Sequence, residues 1–164
     1  MKFSNTKKIV IASVLFIVNT FLCFTAEAQW QENYYVDDFG DKTDQKYESM
    51  SASGTFSNSA TQNSEALYTF IKDDESVLIN VYEYGRSLAS SIDATFETIK
   101  IKQPNGGIVS LKRVFFTKSG KLYFSKKNYT EFLEAIKGSG DYTMVFDRSG
   151  EYSSSSYRIK FTID

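Results

Sequence analysis

Histidine is absent from this chain, and cysteine and proline occur once each among 164 residues. The lone cysteine is Cys23. Without an imidazole there is no Ser-His-Asp or Cys-His machinery. Zinc sites built from His and Cys are excluded on the same ground. One cysteine cannot form an intramolecular disulfide, so the fold must be held by packing. The reactive groups that remain are carboxylates, lysines, tyrosines and serine hydroxyls. In place of the missing residues stand 14 Phe and 11 Tyr, types that suit the pleated surface of a strand.

The N-terminus differs from the rest. Lys2, Lys7 and Lys8 precede an apolar run, Ile9 to Phe24, interrupted by Ser13, Asn19 and Thr20, and Ala26-Glu27-Ala28 follows. A basic start, an apolar middle and an A-x-A site are the layout of a cleavable secretory signal, here residues 1–28. The apolar run falls short of the ~20 residues that span a bilayer, and no stop-transfer charges follow it, which argues against a retained anchor. Lipidation at Cys23 would want a small residue before it, and Thr20-Phe21-Leu22 stands there instead. Residues 29–164 then form a single domain, long enough to bury a core, and the expected location is periplasmic or secreted. The leader carries three Lys and one Glu, so its removal takes the net charge from −1 to −3. That balance gives no electrostatic reason to expect nucleic acid or an anionic membrane as a partner, and contact with a membrane is expected only during export.

Along the domain, short alternating segments are separated by turn signals. Tyr47 to Phe56 places Met50, Ala52, Gly54 and Phe56 on one face and serines on the other, the period of a half-buried strand. Ala66 to Ile71 and Val77 to Tyr84 flank an acidic turn and read as a hairpin. Thr95 to Lys102 and Ile108 to Phe116 flank Pro104-Asn105-Gly106-Gly107, a turn that tolerates positive φ. Leu122 to Phe124, Tyr142 to Phe146 and Tyr157 to Ile163 complete the set, after a first strand from Trp30 to Val36. Tyr129, Phe132, Leu133 and Ile136 fall on one helical stripe, with Asn128 as the expected cap, Glu131 completing a capping box and Gly138 as the stop. The expected fold is mainly β: an antiparallel sandwich or partly open barrel of eight or nine strands with one short helix near the C-terminus.

Candidate sites are few. Asp37, Asp38, Asp41 and Asp44 could gather oxygens for Ca²⁺, but their spacing is not that of an EF-hand, and a solvated turn accounts for them. Glu83, Glu97 and Glu151 could supply a carboxylate pair for glycoside cleavage, though nothing in the sequence pairs any two. Ser125 beside Lys126 is too close in sequence for a dyad. Tyr34, Tyr35, Tyr82, Tyr84, Tyr152 and Tyr157 could form a stacking surface for sugar or peptide, or serve as core and cross-strand partners. Asn128-Tyr129-Thr130 matches a glycosylation acceptor and is equally explained by the expected helix cap.

Trp30, the Phe39-Gly40-Asp41 turn and the stretch Gly54-Thr55-Phe56-Ser57-Asn58-Ser59-Ala60-Thr61-Gln62-Asn63-Ser64 together resemble a family of uncharacterised exported bacterial proteins, Bacteroidetes-like in residue usage. Members share the leading Trp, an F-G-D turn, the G-x-F-S-N-S-A-T-x-N-S stretch and a Ser-rich loop before an S-x-Y strand, as in Ser153 to Ile159. A more distant likeness is to accessory β-sandwich proteins of the type VI secretion apparatus. The resemblance implies export from a Gram-negative cell and carries no activity and no site residues. The expected function is that of a non-catalytic β module binding a protein, peptide or glycan at the envelope, through Tyr34, Tyr35, Asn58, Ser59 and Asn63. No cofactor is expected. A small carboxylate-dependent hydrolase of envelope glycan or peptide is the competing expectation.

Overall fold

The computed structural model describes residues 30–85, 87–90, 93–149 and 154–164. The expected signal, residues 1–28, lies outside them, as do Glu151 and Tyr152. Among the described residues ten strands and one helix follow in order: β1 (Gln31–Val36), β2 (Lys42–Asn58), β3 (Ser64–Lys72), β4 (Ser76–Glu83), β5 (Ser87–Leu88), β6 (Thr95–Lys102), β7 (Ile108–Phe116), β8 (Lys121–Ser125), α1 (Lys127–Ala135), β9 (Gly140–Ser149) and β10 (Ser154–Ile163).

Eight of the strands close into an antiparallel barrel. Its order is β2-β10-β9-β6-β7-β8-β4-β3, and β3 pairs back with β2. The short β5 adds to β4, and β1 adds to the first half of β2. Closure rests on the length of β2. Residues 48–56 pair with β3, residues 53–58 pair with β10 on the opposite edge, and residues 42–49 carry β1. One 17-residue strand thus serves three neighbours, where the sequence suggested a strand of ten.

Alternation along the strands of the barrel sends apolar side chains inward. Phe56, Tyr68, Phe70, Ile79, Ile99, Ile101, Leu111, Phe116, Leu122 and Met144 are fully buried. Each such side chain contributes about 1.5–3 kcal/mol relative to exposure. Their rings touch in series. Phe146 stacks on Tyr157 at 4.6 Å, and Phe70 meets Phe161 at 5.2 Å and Phe132 at 6.4 Å. Helix α1 covers one end of the barrel with Phe132, which also contacts Phe124 at 4.7 Å. It is tied down by Tyr129, whose hydroxyl donates to the Asp73 carbonyl at 2.9 Å, and by Gln103 Nε2, which donates to the Ala135 carbonyl at 2.9 Å.

The expected capping of α1 is corrected. The N-cap position is Lys126 and has no side-chain cap bond. Asn128 lies inside the helix and donates to the Arg113 carbonyl at 3.2 Å instead. Glu131 faces Lys127 at 3.4 Å. The helix is positioned by tertiary contacts from its apolar stripe, which overrides the local cap signal.

Candidate functional site: the barrel mouth and the outer faces

The residues singled out from sequence do not converge. Tyr34 pairs in register with Lys46, while Asn58 ends the same strand twelve residues later. At 3.3 Å per residue that is about 40 Å along the strand. Tyr34 and Tyr35 also point to opposite faces of β1. Tyr34 lies under Lys42 Nζ at 3.2 Å, and Tyr35 packs on Tyr47 at 4.9 Å.

The Asn58–Asn63 stretch uses its polar groups on itself. Asn58 Oδ1 accepts from the amides of Ala60 and Thr61 at 2.9 and 3.0 Å. Ser57 Oγ accepts from the Asn63 amide at 2.9 Å, and the Thr61 and Ser64 hydroxyls bond to each other. Asn63 takes φ 52°, the left-handed region that Asn tolerates. Ser59 is exposed at the tip. The stretch is a turn that closes itself in this way.

The acidic loop is built likewise. Asp37 Oδ1 accepts from the amides of Phe39 and Asp41, both at 2.9 Å. Among the described residues no three acidic, His or Cys side chains come together as a metal set. Asp37, Asp38, Asp41 and Asp44 are thus a turn and its flanks.

Two arrangements that sequence reasoning did not assemble are present. The first lies at the barrel mouth, opposite α1. Tyr157 donates to Glu83 Oε1 at 2.6 Å across two strands that are not neighbours in the sheet. Burial, and then the adjacent Glu83, push the Tyr157 hydroxyl well above the ordinary tyrosine range. Tyr68 is pushed up too, chiefly by burial. Tyr84 stands edge-on to Phe56 at 4.9 Å and accepts from Asn58 Nδ2 at 2.9 Å. The Arg148 guanidinium covers Phe116 at 4.9 Å. The group holds one carboxylate, three tyrosine hydroxyls and a guanidinium around aromatic rings. Glu97, buried near this end of the strands, accepts from Thr95 Oγ1 at 2.5 Å.

The second arrangement is on the outer wall. Register places Lys100, Val145 and Arg158 in one cross-strand row, and Lys102, Thr143 and Lys160 in the next. Alternate residues on a strand are about 6.6 Å apart, and strands two apart are separated by about 9.6 Å. The four cations therefore mark the corners of a rectangle whose floor is Val145 and Thr143. Ile108, 68% exposed, borders it beside Lys102. The hollow between them is about 380 Å³. Among the described residues none of the four makes an ion pair. The middle strand, β9, carries Asp141 and Asp147 at the two ends of this face. Asp141 accepts from Thr162 Oγ1 at 2.8 Å. The alternating Lys-x-Lys and Arg-x-Lys were visible in the sequence, but their meeting requires β9 to lie between β6 and β10, which no local pattern indicates.

Comparison with protein-family models, curated proteins and solved structures finds no match to this chain.

Proposed function

We propose that this protein is an exported, non-catalytic β module that binds a partner at the cell envelope through its outer surface. The observation that carries the reading is the division of the barrel: apolar rings fill the inside, and Lys100, Lys102, Arg158 and Lys160, which make no ion pair among the described residues, stand outside. An interior packed in this way takes its ligands at its surface or mouth. Transmembrane barrels put apolar residues outward; the charged outer rows here run the other way and support a domain in water. The alkaline start and A-x-A site of the leader support export to the periplasm or beyond.

The test is binding and turnover measured side by side. The purified protein is titrated with acidic peptides, anionic glycans and neutral glycans, following thermal midpoint and product formation. Binding that raises the midpoint, without turnover, and that is lost in Lys102→Glu/Lys160→Glu, supports the reading. Binding unaffected by that variant moves the surface elsewhere, and turnover defeats the reading.

The competing reading is a carboxylate-dependent hydrolase centred on Glu83, favoured by the short bond from Tyr157 at the barrel mouth. It requires a second acid in the same cleft. Loss of a measured hydrolysis in Glu83→Gln would establish it.

A further inference from the structure

The cationic face has a counterpart on the same chain. Beyond Glu48, strand β2 pairs with β1 alone, so the β1–β2 hairpin forms a two-stranded arm. Its turn carries Asp37, Asp38 and Asp41, with Asp44 just after. Phe39 at the tip is 92% exposed and Val36 is 64% exposed. The arm's own lysines are already engaged: Lys46 pairs with Glu32 at 3.0 Å, and Lys42 lies over Tyr34. Asp37 is spent on its turn, which leaves Asp38, Asp41 and Asp44 facing solvent around an exposed phenyl ring.

We propose that this arm docks on the Lys100, Lys102, Arg158 and Lys160 face of a second copy of the chain. Charge is complementary on both sides, and each side carries an uncovered apolar residue, Phe39 on the arm and Ile108 at the border of the face. The acids on the face, Asp141 and Asp147, lie at its two ends and leave the four corners open to the arm. Arm and face are different surfaces of one molecule, so two copies that exchange arms about a twofold close a pair, and a contact that is not returned continues head-to-tail into a ring or an open series. The inference rests on reading the cationic face as a binding surface and names what occupies it.

The experiment is sedimentation equilibrium of the purified protein and two variants. The arm variant is Asp38→Asn/Phe39→Ser/Asp41→Asn, and the face variant is Lys102→Glu/Lys160→Glu. Thermal melts confirm that both are folded, since every altered side chain is exposed. Wild type is expected to form concentration-dependent dimers or larger species at low ionic strength, weakened about tenfold or more in ~0.5 M salt, where exposed charges are screened. Each variant alone is expected to be monomeric, and an equimolar mixture of the two to give a 1:1 dimer that grows no further, because one intact arm meets one intact face. Monomeric wild type, or variants that associate as wild type does, overturns the inference. A monomeric wild type whose face still captures an acidic peptide, with capture lost in the face variant, overturns self-association alone. Loss of both overturns the binding surface as well.

Discussion

Adding one methyl group at Gly54 should open the barrel. Gly54 lies opposite Ile159 in the β2–β10 ladder. A Cβ built there would stand 2.0 Å from the Arg158 carbonyl oxygen, 2.9 Å from its carbon and 3.0 Å from Ile159 Cα. All three atoms are backbone, so no side chain can swing aside, and β10 must retreat. Forcing an extra methylene into a packed site costs about 1–3 kcal/mol. Retreat also strains or breaks one or two ladder bonds, each worth ~1 kcal/mol. The loss of chain entropy in the unfolded state returns about 0.4–1 kcal/mol. Gly54→Ala should therefore destabilise by about 2–4 kcal/mol, a large part of the 5–15 kcal/mol typical of a domain. With a urea slope of about 1–3 kcal/mol/M, the midpoint should fall by roughly 1–2 M. Ser53→Ala, one residue away and facing outward, is the control and should stay within about 0.5 kcal/mol. A Gly54→Ala midpoint equal to that of the control would refute the close approach of β10 and with it this account of how the barrel closes.

Other outcomes follow from the same structure. Phe132→Ala removes the ring that covers the barrel end between Phe70 and Phe124 and should cost about 3–5 kcal/mol, read from denaturant unfolding. Asn58→Ala deprives two loop amides and the Tyr84 hydroxyl of a partner and should cost about 1–2 kcal/mol, with local amide exchange rising between Asn58 and Ser64. Tyr157 has a hydroxyl pKa raised on folding, so its contribution is complete below the unfolded tyrosine value near 10 and is lost as pH climbs above it. Alkaline unfolding should accordingly be less steep in Tyr157→Phe, measured by circular dichroism from neutral to strongly alkaline pH.

Much of the fold was legible because period-two alternation and burial have the same cause. Thr95–Lys102 and Ile108–Phe116 match the expected strands residue for residue, since each has one face inside and one in water. The stripe of α1 was equally clear, and Phe132 and Ile136 are buried as it requires. Closure was not legible. It depends on β2 pairing with β3 over residues 48–56 and with β10 over residues 53–58, and alternation along a strand names neither neighbour. The helix cap failed because tertiary bonds from Tyr129 and Gln103 outweigh the preference of Asn128 for a terminus. Gly54 read only as one small residue on the inner face of a strand, and the Arg158 carbonyl across the ladder gives that position a physical reason. The candidate site was the least visible part. The Glu83–Tyr157 bond joins residues 74 apart in sequence, and the four-cation face joins β6 to β10 across β9. Such meetings are properties of strand order, which follows from topology and not from composition.

Binding without catalysis is the central claim, and the most direct test is to follow thermal midpoint and product formation together as the purified protein meets acidic peptides and envelope glycans. The account predicts a midpoint rise with an anionic ligand, abolished by Lys102→Glu/Lys160→Glu and retained in Glu83→Gln, with no product formed. Product formation that disappears in Glu83→Gln would contradict it and place the function at the barrel mouth.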